Sequence, residues 1–247
     1  MTQRADNCEP TRAARGRQAV GVIGGLGPAA TLRFFDRVLQ LTPVTTEAEH
    51  LRLIIDCNPG IPDINSSLLA ADSRAEDALV ATASALERAG AQRLVMICNA
   101  AHYYAPAIEA SVNIPFDSMI EAAVERAATL MPQGGRAGVL ATDGCLRSGV
   151  FQSALEAHGI DSVEPDAARA IEFMDVLARL RAGATPEDCS APLNSIVNAM
   201  VADGAQCIIV GCTEAQQAMD QLGVAIPIID PVQEIAAGIV AVAWCDQ

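Results

Sequence analysis

The stretch that decides the fold is Leu94–His102, which reads LVMICNAAH, and its counterpart later in the chain is Ile208–Ala215, which reads IIVGCTEA. Each stretch is an apolar run of strand length that ends in a cysteine followed by small or polar residues. Cys98 and Cys212 therefore lie at the carboxyl ends of predicted strands, where ligands of open α/β sheets bind, so we expect both to line a binding site. Two thiols that face each other across a cleft could take a proton from one side of a carbon atom and return one to the other side.

The rest of the chain alternates between strand and helix patterns. Apolar runs that end in turn residues predict strands, and segments with apolar residues three and four positions apart predict helices between them. The predicted strands are 19–23, 51–55, 93–97, 137–140, 162–164, 206–210 and 225–229, and the predicted helices are 29–41, 74–89, 118–130, 149–158, 167–182, 191–203 and 231–244. This alternation predicts an α/β fold with mostly parallel sheets flanked by helices.

The two halves of the chain resemble each other. Gly21–Gly25 reads GVIGG and Gly138–Thr142 reads GVLAT, and each half then continues to a cysteine at a strand end. We therefore expect two similar lobes related by a pseudo-twofold axis, with the active site between them. The predicted division is 1–18 as a flexible N-terminal extension, 19–116 plus 226–247 as the first lobe, and 117–225 as the second lobe.

Composition and charge indicate which partners and which cellular compartment to expect. The chain has 247 residues, of which 51% are apolar, and a net charge of −14, so neither nucleic acid nor an anionic membrane surface is an expected partner. No apolar segment is long enough to span a bilayer, and residues 1–18 lack the apolar core of a secretory signal. Because the chain is large, shows no export signal and places several of its eight cysteines in apolar runs, we expect a reduced, cytoplasmic protein. The absence of Cys-x-x-Cys spacing argues against a metal site, and the apolar surplus permits a homodimer.

A glycine-rich loop, Gly24–Thr31, follows the first predicted strand. The backbone at Gly25 and Gly27 can approach a ligand closely, and the helix that follows favours an anion at its N-terminus. We interpret the loop as a site for a substrate carboxylate. Two alternatives are a structural tight turn and a dinucleotide-binding loop, although Asp56 comes late in the chain for the ribose-binding acid of that motif.

Other polar residues follow the predicted strands. Asn58, in a second loop, could bind a substrate carboxylate or amine, or it could belong to an ordinary turn. Asn99 and Thr213 directly follow the two cysteines and could cap the next helices, whose N-termini lower the pKa of a thiol. Glu214 could hold a substrate ammonium group or support its loop, and His102 is interpreted as a capping or core residue.

Six short motifs together resemble the aspartate/glutamate racemase family, and the resemblance extends from Val20 to Val240. They are VGVIGGLGPAAT at 20–31, NPxIPD at 58–63, CNxAH at 98–102, SMIE at 118–121, LATxG at 140–144 and GCTE at 211–214. Each motif alone is weak evidence, whereas the set is specific.

The resemblance implies a function and roles for several residues. Members are cofactor-independent amino-acid racemases with two α/β lobes, each of which supplies one cysteine, and they use neither pyridoxal phosphate nor a metal. By this resemblance Cys98 and Cys212 are the acid/base pair: one thiolate removes the α-proton and the opposite thiol protonates the other face. Asn58, Asn99 and Thr213 would bind the α-carboxylate and amine of a small amino acid or related carboxylate.

Departures from the aspartate-specific pattern concern the substrate side chain. Ile64 replaces the arginine that binds the side-chain carboxylate, and Arg181 aligns with a second basic residue of the family. Ala100 replaces a threonine, and Asp143 stands where a threonine is common. Loss of an arginine–carboxylate contact removes a strong charge-assisted hydrogen bond. We therefore expect a preference for a neutral or basic side chain over aspartate.

Three alternatives remain open at this point. The first is another reaction of the same superfamily, such as dicarboxylate isomerisation or decarboxylation. The second is a catalytically silent protein that binds a small ligand, and the third is a nucleotide-dependent oxidoreductase. Exchange of the α-hydrogen with solvent would distinguish a racemase from a binder.

Overall fold

Two four-stranded sheets form the framework of the protein. The computed structural model describes residues 17–70, 72–219 and 222–245, without the side chains of residues 217, 244 and 245, so nearly all of the predicted N-terminal extension lies outside the described residues. The first sheet comprises β1 (Val20–Gly24), β2 (Leu53–Cys57), β3 (Arg93–Met96) and β4 (Phe116–Asp117), and the second comprises β5 (Gly135–Leu140), β6 (Ile160–Val163), β7 (Cys207–Val210) and β8 (Ile228–Ile229).

The sheets share one topology. The strand order is β2-β1-β3-β4 in the first sheet and β6-β5-β7-β8 in the second, and every pair of neighbouring strands is parallel. The same order in both halves is the arrangement that a pseudo-twofold relation requires. The predicted α/β fold with two similar lobes is confirmed.

Helices cover the sheets. They are α1 (Pro28–Leu41), α2 (Ile64–Ala70), α3 (Arg74–Arg88), α4 (Ala105–Ser111), α5 (Met119–Leu130), α6 (Asp143–Ser148), α7 (Val150–Ala157), α8 (Ala167–Arg181), α9 (Pro186–Ala202), α10 (Gln216–Met219) and α11 (Pro231–Cys245). Two short 3₁₀ helices, Glu47–Glu49 and Ala100–Tyr104, complete the set. No helix within the described ranges is both long enough and apolar enough to cross a bilayer.

The first sheet is covered on both faces, because successive side chains of a strand point to opposite faces. Val22 packs with Phe34 of α1 and Ile235 of α11 on one face. Ile23 packs with Leu79 of α3 on the other. The apolar cluster on this second face also includes residues of the second sheet, so the two lobes share a continuous core.

Two short strands show how the chain crosses between the two sheets. Asp117, in β4, pairs with β3 in the first sheet, whereas β8 pairs with β7 in the second. The chain therefore returns to the first sheet only with α11, which packs against α1 and α5. In this pairing Asp117 belongs with the first sheet, and the predicted strand 225–229, of which Ile228–Ile229 forms β8, belongs with the second.

Candidate active site

A cavity of about 440 Å³ lies at the carboxyl ends of strands from both sheets. The loops after β1, β2 and β3 form one side, and the loops after β5 and β7 form the other. Its lining residues are Gly25, Leu26, Gly27, Pro59, Ile61, Pro62, Asp63, Ile64, Asn65, Cys98, Asn99, Ala100, Thr142, Arg181, Gly211, Cys212, Thr213 and Glu214. The two cysteines singled out in the sequence therefore line a single cavity.

Cys98 lies just beyond β3, at the start of the 3₁₀ helix that begins at Ala100. Burial raises the pKa of its thiol to about 11, and hydrogen bonds from the backbone N–H groups of Ala101 and Ala100 partly oppose the rise. Nearby carboxylates, Glu214 and Asp63, raise it further. The free protein therefore holds a protonated Cys98 at neutral pH, with two N–H groups ready to stabilise a thiolate.

Cys212 lies in a different electrostatic environment. It is 4% exposed, and its Sγ donates a hydrogen bond to Glu214 Oε2 at 2.9 Å. Burial, the charge of Glu214 and this hydrogen bond raise the pKa of the thiol well above its ordinary value. Cys212 is thus held firmly in the protonated form.

Glu214 links this thiol to an arginine. Arg181 donates from Nε and Nη2 to Glu214 Oε1, at 3.0 and 2.9 Å. Burial opposes ionisation of Glu214, but the hydrogen bond from Cys212 and the charge and hydrogen bonds of Arg181 outweigh it, so the pKa of Glu214 lies below its ordinary value. The carboxylate stays charged and engages a thiol with one oxygen and a guanidinium with the other.

Asn99 presents an unsatisfied amide to the cavity. Its side chain is almost completely buried, at 3% residue exposure, and neither Oδ1 nor Nδ2 has a hydrogen-bond partner among the described residues. A buried polar group without a partner costs roughly 1–3 kcal/mol. A ligand with both a donor and an acceptor, such as an amino acid, would satisfy both atoms.

His102 holds the backbone of Cys98. Its Nδ1 lies 2.8 Å from the Cys98 carbonyl oxygen, and the backbone N–H of Met119 donates to its Nε2 at 3.2 Å. Because Nε2 accepts, the proton of the neutral ring is on Nδ1, which donates to the carbonyl. Burial lowers the pKa of His102 to about 4, so the ring stays neutral. His102 is absent from the cavity lining and acts by supporting Cys98.

The glycine-rich loop reaches the cavity because of its backbone geometry. Gly25 has a φ of 87°, a conformation that favours glycine, and a Cβ at this position would lie 2.4 Å from the backbone nitrogen of Asn58. The Gly25 N–H donates to Thr31 Oγ1 at 3.0 Å, which fixes the loop against α1. Gly25 and Gly27 consequently both line the cavity.

Most of the candidate residues from the sequence meet in this cavity. Those that line it are Gly25, Gly27, Ile64, Cys98, Asn99, Ala100, Arg181, Cys212, Thr213 and Glu214. Asn58 does not, because its Oδ1 accepts from the Gly60 N–H at 2.9 Å and stabilises its own turn. Asp143 does not either, since it is the first residue of α6 and its neighbour Thr142 lines the cavity instead.

Four residues of the cavity lining, three of them polar and one a glycine, were not predicted from the sequence as site residues: Asp63, Asn65, Thr142 and Gly211. Thr142 follows β5 directly, so the rule that ligands bind at carboxyl ends of strands could have found it. Nothing in the sequence marks Asn65. Within the described residues, no group of three His, Cys, Asp or Glu side chains is arranged to hold a metal ion.

Comparison with known proteins agrees with this geometry. The chain is 22% identical over 218 residues to the broad specificity amino-acid racemase RacX of Bacillus subtilis (strain 168), covering 85% of this chain and 92% of that protein. The fold is similar to that of Picrophilus torridus aspartate racemase, with a TM-score of 0.78, 22% identity and coverage of 92% and 94% of the two chains. It is also similar to an aspartate racemase homologue from Pyrococcus horikoshii OT3, with a TM-score of 0.74, 23% identity and coverage of 92% and 99%.

The sequence model of the Asp/Glu/hydantoin racemase family matches residues 23–239. The chain, with its two similar lobes and its cavity between them, belongs to the Asp/Glu/hydantoin racemase family.

Proposed function

We propose that this protein is a cofactor-independent amino-acid racemase or epimerase in which Cys98 and Cys212 form the acid/base pair. The observation that carries the proposal is that both cysteines line one cavity, each just beyond the third strand of its half. Membership in the racemase family supports the reaction class, an isomerisation.

The proposed chemistry is a pair of proton transfers at the α-carbon. One cysteine acts as a thiolate and takes the α-proton, which leaves a carbanion whose charge spreads into the α-carboxylate. The opposite thiol then gives its proton to the other face, so the two sulfur atoms exchange protonation states. For one enantiomer, Cys98 is the base, supported by the N–H groups of Ala100 and Ala101, and Cys212 is the acid.

Polar groups of the cavity lining bind the substrate. The free amide of Asn99 can accept from the substrate ammonium group and donate to its α-carboxylate. Thr213 and the glycine loop supply further polar groups around the same cavity. Donors aimed at the carboxylate stabilise the carbanion more than the ground state, and this difference is what accelerates the reaction.

The charges around the cavity argue against aspartate as the preferred substrate. Ile64 places an apolar side chain on the wall, and Asp63 adds a carboxylate. Arg181, the cationic side chain among the described lining residues, is already paired with Glu214. A second substrate carboxylate would have to displace that pair, whereas a neutral or basic side chain would not.

The test is α-hydrogen exchange in heavy water. The protein is incubated with aspartate, alanine and lysine, and NMR follows loss of the α-hydrogen while chiral chromatography follows the opposite enantiomer. We expect deuterium at the α-carbon with racemisation of alanine or lysine in preference to aspartate. Cys98→Ser and Cys212→Ser should each abolish racemisation, whereas Cys57→Ser, an exposed cysteine absent from the lining, should not.

Each part of the proposal can fail separately. Racemisation by the Cys98→Ser/Cys212→Ser double variant would refute the two-thiol mechanism. Strict selectivity for aspartate would refute the altered preference. Saturable thermal stabilisation by an amino acid without any exchange would identify a binding protein.

A further inference from the structure

A hydrogen bond joins the two lobes at the edge of the cavity. Asn65 Oδ1, near the start of α2, accepts from the backbone N–H of Gly144 in the first turn of α6, at 2.7 Å. The two residues are 79 positions apart in the chain. The helices α2 and α6 pack against each other, and both also pack against the 3₁₀ helix that follows Cys98.

Gly144 fits against Asn65 without room for a side chain. A Cβ at residue 144 would lie 2.4 Å from Asn65 Oδ1, 3.0 Å from its Cγ and 3.1 Å from its Cα. Gly144 is not among the glycines with positive φ, so its backbone would accept any residue. The constraint at this position is therefore the close approach of Asn65.

The contact lies between two walls of the cavity. Asp63 and Ile64 precede Asn65 and line one wall, while Thr142 precedes α6 and lines the other. Thr142 Oγ1 accepts from the Cys145 N–H and so belongs to the same helix start as Gly144. The distance between Asn65 and Gly144 consequently determines how closely these walls approach each other.

We propose that Asn65 is a positioning residue, whose hydrogen bond to Gly144 holds α2 against α6 and sets the width of the cavity around the substrate side chain. This inference rests on the proposed racemase function. Without the hydrogen bond, α2 and α6 are held together less tightly, so the cavity is less preorganised for the substrate and the affinity for substrate falls. Water also enters the cavity more readily and weakens the electrostatic contacts within it.

Two substitutions of similar volume separate the hydrogen bond from packing. Asn65→Leu removes the acceptor, and we expect KM to rise about tenfold, the scale of one hydrogen bond, while kcat changes much less. Asn65→Asp keeps an acceptor oxygen in the same place, so it should recover most of the lost affinity. An unchanged KM in Asn65→Leu, or an equal loss in both variants, would overturn the proposal.

Gly144→Ala tests the same contact from the other side. The new methyl group would press against Asn65 and force the helices apart, so KM should rise in this variant as well. The double variant Asn65→Ala/Gly144→Ala lacks Oδ1 and Cγ, the two atoms nearest to the new methyl group. Its increase in KM should therefore be smaller than the product of the increases in Asn65→Ala and Gly144→Ala alone. Losses that simply multiply would contradict a direct contact.

Amide hydrogen exchange provides a readout that needs no turnover. In Asn65→Leu, exchange should accelerate at Gly144 and across α2, and it should stay unchanged in α9, which packs elsewhere. This result would establish the contact even if no amino acid were racemised, in which case only the proposed function would fail. Unchanged exchange at Gly144 would reject the positioning role whatever the activity.

Discussion

The two cysteines differ most in the residue two positions further along the chain. Ala100 occupies that position after Cys98, and Glu214 occupies it after Cys212. The backbone N–H at this position favours a thiolate in both halves, whereas the side-chain carboxylate of Glu214 accepts a hydrogen bond from Cys212 and favours the thiol. This one side chain distinguishes the environments of two thiols whose pKa values are both raised.

Replacing that carboxylate should change the pH dependence of the reaction. Both thiols have raised pKa values in the free protein, so kcat/KM should increase with pH through the alkaline range. Glu214→Gln removes the negative charge next to Cys212 Sγ, and the positive charge of Arg181 remains nearby. Both conditions favour the thiolate. We expect the rise of kcat/KM to move to lower pH, together with faster alkylation of Cys212 at neutral pH.

The matched control for this variant is Glu187→Gln, an exposed glutamate at the start of α9 that is absent from the cavity lining. Its pH profile should coincide with that of the wild-type protein. An identical profile for Glu214→Gln would mean that Glu214 does not govern the protonation of Cys212.

At the scale of elements, His102 joins two helices to a strand end. It belongs to the 3₁₀ helix, accepts from the first residue of α5, and donates to the carbonyl of Cys98. Because Met119 N–H lies at a helix N-terminus, it would otherwise lack a partner. The neutral ring is therefore part of the structure around Cys98.

Acid should weaken this junction. The pKa of His102 is about 4 in the folded protein and 6.5 in its ordinary state, so the unfolded chain takes up the proton first as the pH falls. The stability that the neutral ring contributes is complete above pH 6.5 and is lost toward pH 4. The loss amounts to about 3 kcal/mol of unfolding free energy.

Urea unfolding at pH 7 and pH 4 measures that effect. Between pH 7 and pH 4, the free energy of unfolding should fall by about 3 kcal/mol more in the wild-type protein than in His102→Asn. The variant should be less stable than the wild-type protein at pH 7. Equal losses on acidification would show that the histidine is not held neutral by the fold.

Elements with a long apolar pattern could be predicted from the sequence, and short or capped elements could not. The predicted helix starts at residue 191, but α9 starts at Pro186 because Thr185 and Asp188 cap each other. The short helix α2 was not predicted, and its first two residues, Ile64 and Asn65, were placed in the loop that contains Pro59 and Pro62. The helix of residues 105–111 was likewise not predicted.

At the scale of the molecule, α11 returns the chain to the first sheet after the second is complete. It packs against α1 and α5, and Val232, Ile235 and Ile239 are buried in the core that includes Phe34. None of the α11 side chains that the structure describes lines the cavity. The helix therefore stabilises the framework that positions the site and should not affect binding directly.

Truncation of a buried side chain in α11 should lower stability alone. Ile235→Ala removes a side chain of 3% exposure and should cost about 2–4 kcal/mol in urea unfolding, with KM unchanged. Val242→Ala, on the same helix at 42% exposure, should stay within about 0.5 kcal/mol of the wild-type protein. Equal costs for the two variants would contradict the packing of α11.

The site was predictable where residues follow strands, and it was not where distant segments meet. Cys98, Cys212 and their neighbours follow β3 and β7, so topology places each group at the carboxyl end of a strand, and the similarity of the two halves predicts that they face each other. Asn65 and Gly144 meet only because the lobes face each other, and no local pattern contains that information. Asn58 has the residue type of a ligand-binding group, but its turn uses the amide internally.

The carboxylate present after only one of the cysteines has a consequence for the kinetics of the two mirror-image substrates. Enantiomers have equal free energies in water, so a racemase must have equal kcat/KM in the two directions, whatever the asymmetry of its cavity. Glu214 can therefore never make the enzyme a net producer of one hand. It can only make kcat and KM differ between the enantiomers by the same factor, so that one enantiomer has the lower KM and the other has the higher kcat.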